Sequence, residues 1–334
     1  MKKRWTRSVR LFLLITLTLV TIAQSEAQQL KPFIFLVASP VHITSLPVWV
    51  ALASGYFAEQ GLDVRIVSGT GGALGIPMLL SGEGQVGAFG DTAVRAAFQG
   101  APVRVVATPV NGANFYLYSR TDIANVNDLK GKTIGVSTLN STPQVLTMRI
   151  LSEHYGWMDP AREVRWSRLG GQRLQALQSR TVEAVVVDAP DNVYADRLGF
   201  RKHFTTTDFI AIPSGGITVT AEYMRRNPSD LKKFLAGHLK GLRRALADSA
   251  YAVSLIEQRL KIDGNTAKAI YMSQLSTFTT SDMVPEAALK LSLGINKQQI
   301  QKVAYDLKPS DVFDFGVMVQ VVQEADASGW KPKS

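Results

Sequence analysis

Two aspartates stand at equivalent points of this 334-residue chain. Asp91 follows Val86-Gly87-Ala88-Phe89-Gly90, and Asp188 follows Ala184-Val185-Val186-Val187, each an apolar run that reads as a β-strand. A carboxylate at a strand end either accepts a hydrogen bond from an amine or ring N–H of a ligand or caps the next helix. Both readings stay open for each residue, and Asp91, directly before Thr92-Ala93-Val94-Arg95, is the more cap-like. A third group, Ser137-Thr138-Leu139-Asn140-Ser141-Thr142-Pro143-Gln144, is rich in hydroxyls and ends in Ser-x-x-Gln with a proline, the pattern of a helix start. The unpaired N–H groups there, aided by the helix dipole, attract an anionic or hydrogen-bond-accepting group. Ser141 and Thr142 serve equally well as plain caps. Gly69-Thr70-Gly71-Gly72 lets backbone approach a ligand closely, and Gly170-Gly171 stands at the matching place further on. His42 shares its loop with Ser39 and Thr44; a lone histidine is more often structural than a ligand contact.

Reactive constellations are missing. The sequence has no G-x-S-x-G elbow, no assembled Ser-His-Asp set, no phosphate loop and no dinucleotide fingerprint. His154, His203 and His238 are scattered, and no His-x-x-x-His occurs. With no cysteine there is no thiol nucleophile, thiolate metal site or lipid-modified cysteine. No catalytic residue, metal or cofactor is expected, and binding needs none.

The elements that carry these residues come in two similar sets. Residues 31–92 run apolar strand, helix ending at Gly55-Tyr56-Phe57, strand Val64-Arg65-Ile66-Val67, glycine loop, helix, strand and Asp91. Residues 132–190 repeat that order from Thr133-Ile134-Gly135-Val136 to Asp188. Ser39 to Asp91 is 52 residues, and Ser137 to Asp188 is 51. Continuous apolar runs separated by helices predict parallel strands buried on both faces and right-handed βαβ units. Ligands in such sheets lie beyond the carboxyl ends of the strands. That rule selects Ser39, His42 and Thr44; Thr70, Gly71 and Gly72; Asp91 and Thr92; Ser137, Thr138, Asn140, Ser141 and Thr142; and Asp188.

The expected architecture is α/β, with two lobes of parallel-rich sheets flanked by helices and a ligand cleft between them. Polar, turn-rich Asn125 to Lys132 marks the crossing between lobes. Residues 28–124 with about 215–334 then form lobe 1, and 125–214 form lobe 2. Hinges are expected near 120–130 and 205–220. Beyond Pro228 the chain reads as helices, where Leu231, Phe234, Leu235, Leu239, Leu242 and Leu246 form a core-facing stripe.

Lys2, Lys3, Arg4, Arg7 and Arg10 precede an apolar stretch from Leu11 to Ala23 and then Ser25-Glu26-Ala27, the pattern of a secretory signal cleaved after Ala27. Residues 1–27 are assigned to it. The formal charge of +10 falls to +6 without that segment, 32 basic against 26 acidic side chains, and the excess is spread over helical stretches without aromatic interleaving. That distribution fits a solvated surface and gives no nucleic-acid face. An exported chain without disulfides or a lipid tether points to a periplasm.

Four segments carry a resemblance: Leu46-Pro47-Val48-Trp49-Val50-Ala51-Leu52-Ala53-Ser54-Gly55-Tyr56-Phe57-Ala58-Glu59-Gln60-Gly61-Leu62-Asp63-Val64, Leu80 to Gly87, Asp128 to Val136, and Leu174 to Val187. They resemble ABC-transporter substrate-binding proteins of the sulfonate, nitrate, taurine and thiamine-pyrimidine-precursor group, over about residues 30–245. The resemblance implies a type II periplasmic-binding-protein fold, two crossovers, a small-molecule ligand captured by hinge closure, delivery to an inner-membrane permease and a monomeric chain. The ligand is then a sulfonate- or carboxylate-like anion, favoured slightly, or a pyrimidine-like heterocycle stacked on Phe115, Tyr116 or Trp49. No basic side chain obviously belongs to the chosen loops. Enzymes of menaquinone and thiamine-pyrimidine biosynthesis share the fold and give the alternative, as does a ligand-sensing module that acts through a partner protein.

Overall fold

The computed structural model describes residues 29–38, 42–68, 74–300 and 303–332. The expected signal segment and its cleavage point lie outside the described residues, as do Ser39, Thr70, Gly71 and Gly72.

Two five-stranded sheets have matching topology. In the first, β1 (Lys31–Val37) pairs in parallel with β2 (Leu62–Ser68) and β3 (Val86–Ala88), while β12 (Ile217–Thr220) runs antiparallel between β3 and β4 (Val103–Ala107). In the second, β7 (Thr133–Val136) pairs in parallel with β8 (Arg165–Arg168) and β9 (Ala184–Val187), and β6 (Tyr116–Ser119) runs antiparallel between β9 and β10 (Arg201–Thr205). The repeat read from the sequence is thus β1, β2, β3 against β7, β8, β9. Burial follows position: β9, inside its sheet, is buried along its whole length, whereas the edge strands β2 and β8 expose arginines.

Each sheet is completed by the antiparallel strand that follows a crossover. The outgoing crossover lies between β4 and β6, and the return lies between β10 and β12. Within them β5 (Val110–Asn111) and β11 (Pro213–Ser214) pair with each other. The crossing therefore falls earlier than Asn125–Lys132, and Tyr116–Ser119 belongs with the second sheet. Asn125 and Asp128 instead form a capping box on a 3-10 turn whose Val126 and Leu129 are buried in the second lobe's core. That stretch is polar because it turns at the surface, which sequence alone does not distinguish from a linker.

Helices cover both sheets. α1 (Leu46–Ala53), with Pro47 in its first turn, packs against α7 (Pro228–Ala247), whose Leu231, Phe234, Leu235, Leu239 and Leu242 are buried as the spacing predicts. Phe234 stacks between Phe33 and Phe57, with ring centres 5.0 and 5.1 Å away. Behind α1 lie α8 (Ser249–Leu260) and α9 (Gly264–Leu275). α10 (Glu286–Gln298) spans the lobes, since Leu289 and Leu293 join a first-lobe cluster and Ile295 joins the second-lobe core. Among the described residues no helix is long and apolar enough to cross a membrane.

Candidate functional site

A cleft of about 1550 Å³ opens between the sheets at the carboxyl ends of β1, β3, β7 and β9. Every described residue selected from the sequence lines it: His42, Thr44, Asp91, Thr92, Ser137, Thr138, Asn140, Ser141, Thr142 and Asp188.

On the first-lobe side, His42 Nδ1 lies 2.8 Å from Thr44 Oγ1. Asp91 does not cap the next helix. That helix, α2 (Gly90–Phe98), starts one residue earlier and carries Asp91 in its first turn, where a carboxylate suits the dipole. Burial pushes its carboxyl above the usual aspartate range, opposed by the Arg95 charge and a hydrogen bond from Asn296. Arg95 is fixed by hydrogen bonds to Asn296 Oδ1 at 2.8 Å, Gln299 Oε1 at 3.1 Å and Thr92 Oγ1 at 3.3 Å. Gly90 meets the return crossover so closely that a Cβ there would stand 1.5 Å from the Gly215 carbonyl oxygen.

On the second-lobe side, Ser141 holds the N-cap position of α3 (Thr142–Tyr155) but makes no side-chain cap. Gln144 accepts instead from the N–H of Asn140 at 2.7 Å, one residue earlier than a capping box requires, with Asn140 in the left-handed region at φ 59°. The Ser141 hydroxyl is therefore buried without a partner among the described residues. Thr142 Oγ1 lies 3.5 Å from Gln299.

Asp188 is no cap either, because α5 (Asp191–Arg197) begins three residues later; α4 (Arg173–Gln178) supplies its partner. Arg173 Nη2 donates to Asp188 Oδ1 at 2.7 Å, and Nη1 donates to the Val186 carbonyl at 3.0 Å. Arg173 is 9% exposed, and its Nε is buried with no acceptor among the described residues. Two arginines thus stand in a cleft whose loops offered none by sequence. Arg95 was findable, since it lies four residues after Asp91 on one helix and so on the same face. Arg173 follows Gly170-Gly171, which form an exposed turn outside the cleft lining. Gln299, more than 150 residues from Thr142, left no local signal.

The stacking candidates divide. Phe115 lines the cleft, but Trp49 is fully buried between α1 and its neighbours, and Tyr116 points away from the cleft. Phe89, buried against Gly75 and Gly87, supplies the other aromatic wall.

A family model described as NMT1/THI5 like matches residues 42–252, more than half of the chain and both sets of strand-end loops. The chain belongs to the NMT1/THI5-like family. Within the reach of that model lie Asp91, Ser141, Arg173 and Asp188, so the cleft's centre is family territory, while Asn296 and Gln299 come from beyond it. The chain is 26% identical over 226 residues to the riboflavin-binding protein RibY of Chloroflexus aurantiacus, a match covering 64% of this chain and 63% of that one, less than two thirds of the relative's length. The periplasmic aliphatic sulphonate binding protein SsuA of Escherichia coli superposes with a TM-score of 0.68 at 17% identity, covering 80% of this chain and 91% of that one. The desulfurization enzyme DSZB superposes with a TM-score of 0.59 at 16% identity, covering 87% and 99%. At such identities the structural likenesses establish the fold, and the expected periplasmic-binding-protein architecture is the one observed.

Proposed function

We propose that this protein is the exported, periplasmic solute-binding component of an ABC importer, capturing a small organic molecule between its lobes and presenting it to an inner-membrane permease. The observation that carries the reading is the cleft itself: equivalent strand-end loops of two repeated units face one space from opposite sides. The relative and the sulphonate-binding structure, both named as binding proteins, support it. An anion such as a sulfonate or carboxylate suits the chemistry. It would meet the N–H groups at the starts of α2 and α3, together with the Ser141 hydroxyl and the Arg173 Nε–H, neither of which has a partner among the described residues. A heterocycle between Phe115 and Phe89 is the other ligand class the walls admit.

Native mass spectrometry of protein from a periplasmic extract tests the reading. A stoichiometric small molecule recovered chemically unchanged is the expected result. The enzyme alternative draws on the likeness to DSZB and on the His42–Thr44 bond, which resembles a base beside a hydroxyl. Among the described residues no carboxylate bonds to His42, so the pair lacks the third group that orients such a base. Ligand recovered altered in proportion to protein would put the enzyme first.

A further inference from the structure

A second cavity of about 450 Å³ lies behind the crossover segments. One extended stretch fixes the geometry: Phe115 lines the cleft, whereas its neighbours Asn114 and Tyr116 line this cavity, as successive side chains of extended backbone point to opposite faces. The other walls come from α5 and β10 of the second lobe and from α9. α9 packs with α8 and α1 of the first lobe.

Three of the wall donors are committed: Asn114 Nδ2 donates to the Ser273 carbonyl at 2.9 Å, Thr207 Oγ1 to Asn114 Oδ1 at 2.6 Å, and the Tyr116 hydroxyl to the Ser273 carbonyl at 3.4 Å. Acceptors are left over. Asn192, only 3% exposed, lines the cavity with a buried Oδ1 that meets no donor among the described residues. Asp196 Oδ1 takes the Tyr118 hydroxyl at 2.7 Å, and its Oδ2 faces Lys202 at 3.9 Å, beyond hydrogen-bond reach. Asp208 takes one backbone N–H, from Thr205 at 3.0 Å. Both carboxylates act on Tyr116, whose hydroxyl is pushed up chiefly by burial and further by Asp196, Asp208 and Asp188. Of the basic side chains at the rim, Lys202 is half exposed, and Arg197 turns to Asp263 at 3.7 Å.

We propose that this cavity is a second binding site, separate from the cleft, for a small organic ammonium compound with several N–H donors. Such a ligand supplies the donor that Asn192 Oδ1 lacks and sets its charge against Asp196 and Asp208. Because its walls belong to both lobes, the bound amine would bridge them.

Titration of the full chain with 1,4-diaminobutane at low ionic strength, read by calorimetry and amide NMR shifts, tests the site. The expected result is saturable binding with shifts gathered at residues 114–116, 192–197, 205–208 and 273–276, and at least tenfold weaker binding of 1,4-butanediol. Asp196→Asn keeps an acceptor for Tyr118 and should weaken the diamine at least tenfold. Lys202→Ala, at the exposed rim, should strengthen it by removing a competing cation. No saturable binding, shifts confined to the cleft, equal affinity for the diol, or an unchanged affinity in the folded variants would overturn the proposal.

Discussion

Arg173 and Asp188 form a single donor–acceptor unit in the cleft wall, and the charge a ligand meets depends on both. Asp188, held at 2.7 Å, offsets the guanidinium charge, while the Arg173 Nε–H has no acceptor among the described residues. If the ligand is an anion, Arg173→Gln should weaken binding about tenfold or more, the worth of one charge-assisted hydrogen bond. Asp188→Asn should strengthen it by unmasking the guanidinium. Calorimetric titration of both variants, each first shown folded, checks the pair of opposite signs; two losses would point to a ligand that donates to Asp188. Asp91 makes a separate prediction. Its carboxyl is raised above its ordinary 3.8 by burial, so the folded state binds a proton more tightly than the unfolded state. Stability from this group is complete below the unfolded value and is lost as pH rises through the folded one. At pH 7 Asp91 is therefore a net burden on the fold. Asp91→Asn should raise the melting temperature at pH 7, by an amount that shrinks as pH falls toward about 4 and vanishes below it. A residue kept at a cost to stability inside a cleft is a candidate for ligand contact.

Elements, more than residues, were legible in the sequence. Thr133–Val136 and Ala184–Val187 are strands at the predicted residues because continuous apolar β-branched runs have few other ways to be buried. Strand ends then located the cleft, since loops at that edge lead into helix starts whatever the side chains do. The roles of those side chains were less legible. Whether Ser141 caps or stays free depends on where Gln144 reaches, a matter of one residue of backbone geometry. Asn296 and Gln299 reach the site by tertiary packing alone, and Tyr116–Ser119 pairs with a strand more than 60 residues away. The meeting of α2 with the return crossover is of the same kind and carries a prediction. The Cβ of Gly90→Ala would stand 1.5 Å from the Gly215 carbonyl, and no rotamer change relieves a clash with backbone. A loss of about 3 kcal/mol is expected, roughly a 5 °C fall in melting temperature for a chain of this size. Gly171→Ala is the control: nothing lies within 4 Å of its Cβ position, and melting should change little.

For the molecule as a whole, the hydrogen bonds around the crossovers say where the lobes can swing. On the first-lobe side the outgoing crossover is strapped by a C-terminal segment. Thr108 N–H donates to the Asp282 carbonyl at 2.6 Å, Asn111 N–H to Thr277 at 2.7 Å, and Thr279 N–H to Pro109 at 2.8 Å. Asp282, fully buried, is itself held by His238 of α7 at 2.8 Å. β11 joins the same set by pairing with β5. On the second-lobe side, Thr206 N–H donates to the Phe115 carbonyl at 2.8 Å, Phe115 N–H donates to Thr206 Oγ1 at 3.0 Å, and Ile210 and Ile212 are buried in the second core. Between the two stitched sets stand Gly112 in one crossover and the junction of Ile212 with Pro213 in the other. Gly112 is also where the sets touch: a Cβ there would meet Thr277 Cγ2 at 2.7 Å and Thr207 Cγ2 at 2.9 Å. Closure, if it occurs, should pivot at these two points, with residues 108–111 moving as part of the first lobe. Small-angle scattering should show the wild type contracting when saturated with the ligand recovered from native protein. Ligand at about 100 times its dissociation constant should also add roughly 2.7 kcal/mol of stability. In Gly112→Val the side chain wedges between the strap and the return crossover, so binding should weaken and the contraction shrink, while hydrogen exchange at Thr108 and Asn111 stays protected. A Gly112→Val protein that closes and binds like the wild type would move the pivot elsewhere. Unchanged scattering of the wild type with saturating ligand would mean that capture needs no swing of the lobes.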